Sequence, residues 1–230
     1  MAESRTTDRN GAPLPGDGGI LVVGLGRFGS ALAETLDRLG RDVLAVERDP
    51  ALVRHFTGRF PLVEADAADP EALLQLGAKD FPVAVVGVGT SLEASVLITA
   101  NLVDLGTPQI WAKAISNEHG RILERIGAHH VVLPEADAGN RVAHLVSGKM
   151  LDYIEVEGGF TIVKMRAPRE THGFTVGQAQ IAKRYGVTII GVKAPGEEFV
   201  HANDSTQIQR DDILIASGRA ELLERFAARP

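Results

Sequence analysis

The sequence of 230 residues can form one large or two small domains. Its 24 Lys and Arg against 30 Asp and Glu leave a net charge of -6, and no basic stripe is visible, which argues against a nucleic-acid partner. Cysteine is absent, which excludes disulfides, thiolate catalysis and zinc–thiolate sites. No apolar run approaches the roughly 20 residues of a membrane span, and the N-terminus lacks a signal peptide's apolar core. The expectation is a cytoplasmic protein, or one held at a membrane only through a partner.

Residues 1–18 are polar and rich in Gly, Pro and Asp, the composition of a disordered leader. Residues 20–47 read ILVVGLGRFGSALAETLDRLGRDVLAVE. Apolar residues 20–23 predict a strand, and Gly24-Leu25-Gly26-Arg27-Phe28-Gly29 a glycine turn. An amphipathic helix over 30–39 is stopped by Gly40, and a second strand over 43–46 ends on Glu47. This is the order that a βαβ nucleotide site requires. Gly24 permits the tight turn. Gly26 lets a phosphate approach the backbone without meeting a Cβ, and Gly29 lets the helix lie close to the sheet. The helix N-terminus offers unpaired N–H groups and the positive end of its dipole. Glu47 can accept hydrogen bonds from ribose hydroxyls.

The alternation continues. Asp49 and Pro50 open a short helix to about residue 57, and a strand over 61–65 ends on Asp66. Asp69 and Pro70 start a helix over 71–76 that Gly77 closes. The run 81–88 is nearly all apolar, as in a parallel strand buried on both faces. Ser91 caps a helix to Leu105, 109–114 is a fifth strand, Asn117 caps a helix to Ile126, and 130–133 is a sixth strand. Six strands alternating with helices predict an α/β fold, a doubly wound, Rossmann-like parallel sheet over 19–136. A connecting helix over 137–152 carries Val142, Leu145, Val146 and Met150. From 153 to 230 the pattern becomes a small α+β lobe. Strands over 153–156 and 160–165 flank Gly158-Gly159, a hairpin signal. A helix over 175–185, a strand over 187–192, a turn at 195–198, a strand over 213–216 and a helix over 219–228 follow. A lobe of roughly 75 residues is near the lower limit for a self-sufficient core and is expected to complete it by dimerising.

A dinucleotide fold followed by a second lobe usually signals a dehydrogenase. Yet the sequence holds no Tyr-x-x-x-Lys, no HExxH and no GxSxG. His172 and His201 fall in loop-like contexts, where a solvated histidine is the plain reading. A binding module is favoured; an NAD(H)-binding oxidoreductase or redox sensor on the same fold is the alternative. Arg27 follows Gly26, where a pyrophosphate would sit, and its guanidinium suits the terminal phosphate of ADP or ATP better than a diphosphate bridging two sugars. The other reading of Arg27 is a solvated arginine at a helix start. Glu47 disfavours a 2′-phosphate, although the following Arg48 makes the pair ambiguous. Asp66 can accept from an adenine amino group or be only a turn residue. Lys113, ending the fifth strand, and Glu135, after the sixth, lie at the strand ends where open α/β sheets bind ligands. Glu135 taken alone reads as a helix-flanking acid.

The segments VVGLGRFGSALAETLDRLGRDVLAVE, VGVGTSLEASVLITANLVDLG, IWAKA and ERIGAHHVVLPEADAG, with KRYGVTIIGVK and QRDDILIASG downstream, carry a family likeness. Over residues 19–225 the chain resembles the RCK (regulator of K+ conductance) proteins of bacterial potassium uptake, of the TrkA/KtrA family and nearest the KtrA type. The resemblance implies a regulatory subunit, not an enzyme. Its dimers would assemble into a homo-octameric ring, bind ATP or ADP rather than NAD(H), and gate a membrane K+-translocating partner of KtrB/TrkH type. It would then work in the cytoplasm, at the membrane face. By residue, Gly24, Gly26, Arg27, Phe28 and Gly29 match the phosphate loop. Glu47 matches the ribose acid, commonly Asp in relatives, with Arg48 beside it in the nucleotide set. Asp66 and Ala67 match the adenine-contacting loop, and Lys113 a lysine near the terminal phosphates. Glu135 matches a glutamate that reaches the nucleotide across the dimer and helps hold Mg2+ or another divalent cation. Relatives that bind cyclic di-AMP carry an arginine where Ala182 stands here, next to Lys183 and after the amide of Gln180, so weak or absent cyclic di-AMP binding is expected.

Overall fold

The structure is a computed structural model that describes residues 18–146 and 150–229. All but Gly18 of the expected leader lies outside the described residues. The chain divides into two units between Glu135 and Ala136.

In the first unit, β1 (Ile20–Val23), β2 (Val43–Glu47), β3 (Leu62–Glu64), β4 (Val83–Val86), β5 (Gln109–Lys113) and β6 (His130–Val132) form one sheet in the order β3-β2-β1-β4-β5-β6. Every pairing in it is parallel. Side chains alternate across it, as strand geometry requires. Leu21 and Val23 of β1 join a core with Val86, Ile98, Leu102 and Leu123, whereas Val22 joins Leu25, Ala33, Phe56 and Phe60 in a separate core. Helices α1 (Arg27–Arg38) and α2 (Pro50–Phe56) supply the second of these cores, and α3 (Pro70–Gln75), α4 (Leu92–Asp104) and α5 (Asn117–Ile126) the first. Covered on both faces, β4 is buried at every residue, which explains its unbroken apolar sequence. Full burial of side chains such as Leu21, Leu73 and Leu102 contributes about 1.5–3 kcal/mol each.

Helix starts follow their caps. Asp49, Asp69 and Ser91 accept backbone N–H groups at the heads of α2, α3 and α4, with proline in the first turn after each aspartate. Ser116, not Asn117, caps α5. Helix α1 begins at Arg27, three residues before the predicted start, because Gly26 already serves as its N-cap. The connections from the adjacent strands β1 and β4 run to opposite sides of the sheet, so a crevice opens at their carboxyl ends.

Helix α6 (Pro134–Val146) begins in the first unit and continues into the second. The expected connector over 137–152 is displaced: the helix starts earlier, on Pro134, which suits a first turn, and Met150 already belongs to a strand. Met150 is buried opposite Met165, so its apolar character serves a sheet and not a helix face. In the second unit β7 (Met150–Glu157), β8 (Phe160–Arg166), β9 (Thr188–Lys193), β10 (Val200–His201) and β11 (Ile213–Arg219) make an antiparallel sheet in the order β10-β9-β11-β8-β7. Strand β10 has no counterpart among the predicted strands. Gly158 and Gly159, with φ of 60° and 78°, form the expected hairpin turn between β7 and β8. Met165, Ile181, Leu214, Leu223 and Phe226 centre this unit's core. Among the described residues no helix is long and apolar enough to cross a membrane.

The single helix predicted over 175–185 is two, α7 (Val176–Ala179) and α8 (Ile181–Tyr185), separated by Gln180 at φ 47° and ψ 40°. Ala179 and Ile181 are both buried. On one continuous helix, residues two apart point about 200° from each other, so the left-handed residue between them lets both face the core. Gln180→Gly removes the Cβ penalty of that conformation, and we expect it to raise stability by roughly 0.5–1 kcal/mol in urea unfolding.

Gly29 and Gly26 differ in the room their neighbours leave. A Cβ on Gly29 would stand 1.8 Å from the Gly24 carbonyl oxygen, while one on Gly26 would meet nothing within 4 Å. Gly29→Ala should therefore destabilise by about 1–3 kcal/mol or more despite alanine's better helix propensity. Gly26→Ala should cost less, up to about 1 kcal/mol, for the poorer N-cap that alanine makes.

Candidate functional site

The crevice at the carboxyl ends of β1, β2 and β4 holds a cavity of ≈ 250 Å³. Gly24 and Gly26 form one wall, Glu47, Arg48 and Asp49 a second, and Asp66 and Ala67 a third. The fourth is the loop 87–90, and Val23, Val46 and Ile98 give it an apolar lining. Of the residues expected from the sequence, Gly24, Gly26, Glu47, Arg48, Asp66 and Ala67 thus face one cavity. Gly29 lies under the turn, against Gly24. Arg27, Phe28, Lys113 and Glu135 are not among its walls: Arg27 directly follows Gly26, Lys113 Nζ lies beside Gly89, and Glu135 pairs with Lys113.

The head of α1 carries no side-chain cap and no acidic residue in its first turn. The Ser30 hydroxyl donates to the Gly26 carbonyl at 2.9 Å and does not cap the helix. The N–H groups at the start of this 12-residue helix are therefore available to an anion, and the space above Gly26 lets one approach.

Glu47 is only 8 % exposed. Its Oε2 accepts from the Leu25 N–H at 2.6 Å, and its Oε1 from the N–H groups of Arg48 at 2.8 Å and Asp49 at 2.9 Å. The carboxylate ties the glycine turn after β1 to the end of β2. Next to it, Arg48 and Asp66 approach to 3.9 Å with both side chains more than half exposed, a pair of little energetic weight. Asp66 also accepts from the Ala68 N–H at 3.0 Å, and the Asn101 amide donates to the Ala68 carbonyl at 3.0 Å, which holds this loop against α4.

Lys113 Nζ donates to Glu135 Oε1 at 2.8 Å; the lysine side chain is 12 % exposed and the glutamate 59 %. The Lys113 hydrogen bond, then backbone hydrogen bonding, then the positive charges of Lys113 and Arg27 hold the Glu135 carboxyl below its usual range. It is ionised at neutral pH. Among the described residues no group of three His, Cys, Asp or Glu could hold a metal ion. A lone exposed carboxylate fits a cation that arrives with phosphate oxygens, not a resident metal.

The apolar run predicts a fourth strand to Val88, but β4 ends at Val86, and residues 87–90 form a loop that walls the cavity. Its signal is Gly87-Val88-Gly89, a second glycine pair at the end of a buried strand. A Cβ on Gly87 would stand 3.2 Å from the Gly24 carbonyl oxygen, and one on Gly89 3.0 Å from Lys113 Nζ. In the second unit Ala182 and Lys183 are exposed on α8, and Arg184 stacks over the Tyr185 ring at 5.0 Å.

A TrkA-N domain matches residues 20–134 and a TrkA-C domain residues 160–229. The chain is 34 % identical over 210 residues to the Ktr system potassium uptake protein C of Bacillus subtilis (strain 168), covering 90 % of this chain and 95 % of that protein. It is 32 % identical over 207 residues to the Ktr system potassium uptake protein A of the same organism, covering 89 % and 93 %. Among solved structures, the GsuK channel bound to NAD matches with a TM-score of 0.64 at 21 % identity, a likeness of fold. That match covers 97 % of this chain but 41 % of the channel chain, so the present sequence spans less than half of that protein's length. With both domains in place and relatives matched over nearly their whole length, the chain belongs to the TrkA/KtrA family of potassium uptake proteins.

Proposed function

We propose that this chain is a non-catalytic regulatory subunit that senses an adenine nucleotide and gates a membrane K+ channel or transporter of the Ktr/Trk type. One observation carries the reading: in a TrkA-N domain, the uncapped head of α1 opens beside a glycine turn onto the cavity at the β1/β4 switch point. The names of the two Bacillus relatives supply the physiological setting. In this reading Gly24, Gly26, Phe28 and Gly29 shape the phosphate loop, Arg27 and Lys113 meet the outer phosphates, Glu47 and Arg48 lie toward the ribose, and Asp66 and Ala67 toward adenine. ATP and ADP are favoured over NAD(H), because Arg27 suits a terminal phosphate. Glu135 would bind a Mg2+ carried by the nucleotide of a neighbouring subunit, in a dimer that builds an octameric ring. Residues 19–136 would form the nucleotide-binding domain, the part of α6 beyond residue 136 the connector, and the chain after it the C-terminal lobe. The protein would lie in the cytoplasm, on its membrane partner. Cyclic di-AMP would bind weakly, since Ala182 offers no cation.

The direct test is a thermal-shift panel of the full chain with ATP, ADP, AMP, NAD and NADH. A ligand that binds only the folded state adds about 2.7 kcal/mol at a hundredfold excess over its Kd. ATP and ADP should stabilise more than NAD or NADH; no shift with any adenine nucleotide would overturn the reading.

Arg27→Ala separates the phosphates. A hydrogen bond to a charged group contributes about 1.5–3 kcal/mol, so calorimetry should show tenfold or greater weakening for ATP and little change for AMP. Equal losses would remove Arg27 from the terminal phosphate.

Lys113 and Glu135 give a second measurement. Lys113→Met removes the main cause of the lowered Glu135 pKa, so the carboxyl titration, followed by NMR, should move upward toward the ordinary carboxylate range. The charged form then survives acidification less far than in the parent chain, because a depressed pKa is what keeps a carboxylate ionised as pH falls. Glu135→Gln should retain nucleotide affinity and lose any added effect of Mg2+ on ATP-dependent K+ flux in proteoliposomes.

A further inference from the structure

We infer that His119 is a positioning residue for the corner of the cavity where β5 ends, that it does this only as a neutral hydrogen-bond acceptor, and that acid releases the corner. The residue is 1 % exposed and lies in the first turn of α5, where the Ser116 hydroxyl accepts from its N–H at 3.2 Å. Its Nδ1 accepts from the Ile115 N–H at 3.3 Å. That bond sets the tautomer. The ring proton lies on Nε2, which is buried without a hydrogen-bond partner among the described residues. An apolar side chain would fill the same space without stranding a donor. What the position requires is therefore the acceptor on the other side of the ring.

The acceptor holds the segment that follows Lys113. A Cβ on Gly89 would stand 3.0 Å from Lys113 Nζ and 3.5 Å from Ile115 Cγ2, so both side chains lie against loop 87–90, a wall of the cavity. Fixing the Ile115 amide fixes the turn that keeps them there. A proton on Nδ1 would set two donors against each other and bury a charge. Burial already holds this imidazole below the usual histidine pKa. The positive end of the α5 dipole also opposes a cation in its first turn. No charged neighbour offsets these effects. Glu118, Arg121, Glu124 and Arg125 of the same helix are exposed, as are Glu93 and Asp104 of α4. Strands β5 and β6 send Ala112 and Val131 into the core that Leu123 of α5 shares, while Lys113 pairs with Glu135 and His130 stacks on Trp111.

Three measurements on the full chain need no ligand, so they decide the role of His119 whether or not the nucleotide reading holds. Nitrogen NMR of the ring at about pH 8 should show a bare Nδ1 and a protonated Nε2, with a titration midpoint below the usual histidine range. Amide exchange at Ile115 is the second. His119→Asn supplies a carbonyl oxygen as acceptor and cannot titrate, so it should keep the parent's protection factor within about threefold, and keep it down to about pH 5. His119→Phe lacks the acceptor and should lower that protection at least about tenfold. The third is urea unfolding against pH. With the native pKa depressed, the unfolded chain takes up the proton first. The stabilisation is complete above the usual histidine pKa and is lost as pH falls from there to the native value. Across that window the folding constant of the parent, relative to His119→Asn, should fall by up to about tenfold per pH unit. A merely structural histidine would be weakened by both substitutions with no difference in pH profile. Equal pH profiles for the parent and His119→Asn would overturn the inference, as would a proton found on Nδ1 or Ile115 protection that survives in His119→Phe. Should His119→Phe not fold, the ring titration and the comparison with His119→Asn still decide it.

Discussion

The Gly24 carbonyl oxygen and the Gly29 Cα face each other with no room between them for a methyl group. That contact sets how deeply the head of α1 sinks into the end of β1, and much of the first unit follows from it. Gly87 enters the same junction from β4, where a Cβ would crowd both Gly24 and Gly29. Three backbone segments therefore meet without side chains between them, at the point where the sheet order reverses. Side-chain packing cannot fix the geometry of such a junction, so hydrogen bonds must. The Gly24 N–H donates to Val46, the Gly87 N–H to Val23, and the Leu25 N–H to Glu47. Core packing and ligand cradle are one structure here, which is why the residues that shape the cavity are largely those that hold the strands together.

Charge around the cavity is distributed in matched sets. Glu47 is offset by three amide dipoles, Asp66 by Arg48 and Glu135 by Lys113. A polyphosphate entering this field would add several negative charges beside groups already balanced, at a cost that the low local dielectric enlarges. The α1 dipole and Arg27 offset part of it. On the proposed reading, Lys113 cannot fully serve both Glu135 and a phosphate, and a divalent cation is the group that would let carboxylate and phosphate stay together.

Much of the fold was legible because local rules and tertiary packing agree. The six parallel strands announce themselves by apolar runs, and the helices by Asp-Pro and Ser caps followed by glycine stops. The discrepancies arise where tertiary needs override local pattern. Gln180 is left-handed because Ala179 and Ile181 must both reach the core, and no Gly or Pro marks the break. Met150 extends a helical apolar pattern but pairs opposite Met165 in a sheet. Strand β10 is two residues long and depends on its partner β9 for recognition. In the site, the glycines and the acid at the end of β2 were readable from spacing. The bond between Glu47 and Leu25 was not, since nothing in a linear pattern says which of two nearby polar groups a carboxylate will choose. Loop 87–90 carried a readable glycine pair, yet only the strand order shows that it stands across from the first glycine turn.

A ligand shifts a protein between states only by binding them unequally. ATP and ADP differ at one end, so in the proposed function the discriminating contact must lie with the outer phosphates, away from Glu47, Asp66 and the adenine side. The Lys113–Glu135 pair is the candidate the structure offers, because it joins the end of β5, buried in the sheet, to a side chain more than half exposed. Its second member is also the second residue of α6, the helix that leaves the first unit and continues into the next. An exchange of partners at Glu135, from lysine to a nucleotide-borne cation, would act at the first turn of that helix. On the proposed reading, ordinary ion-pair chemistry there would be coupled to the helix through which a regulatory change would leave the first unit.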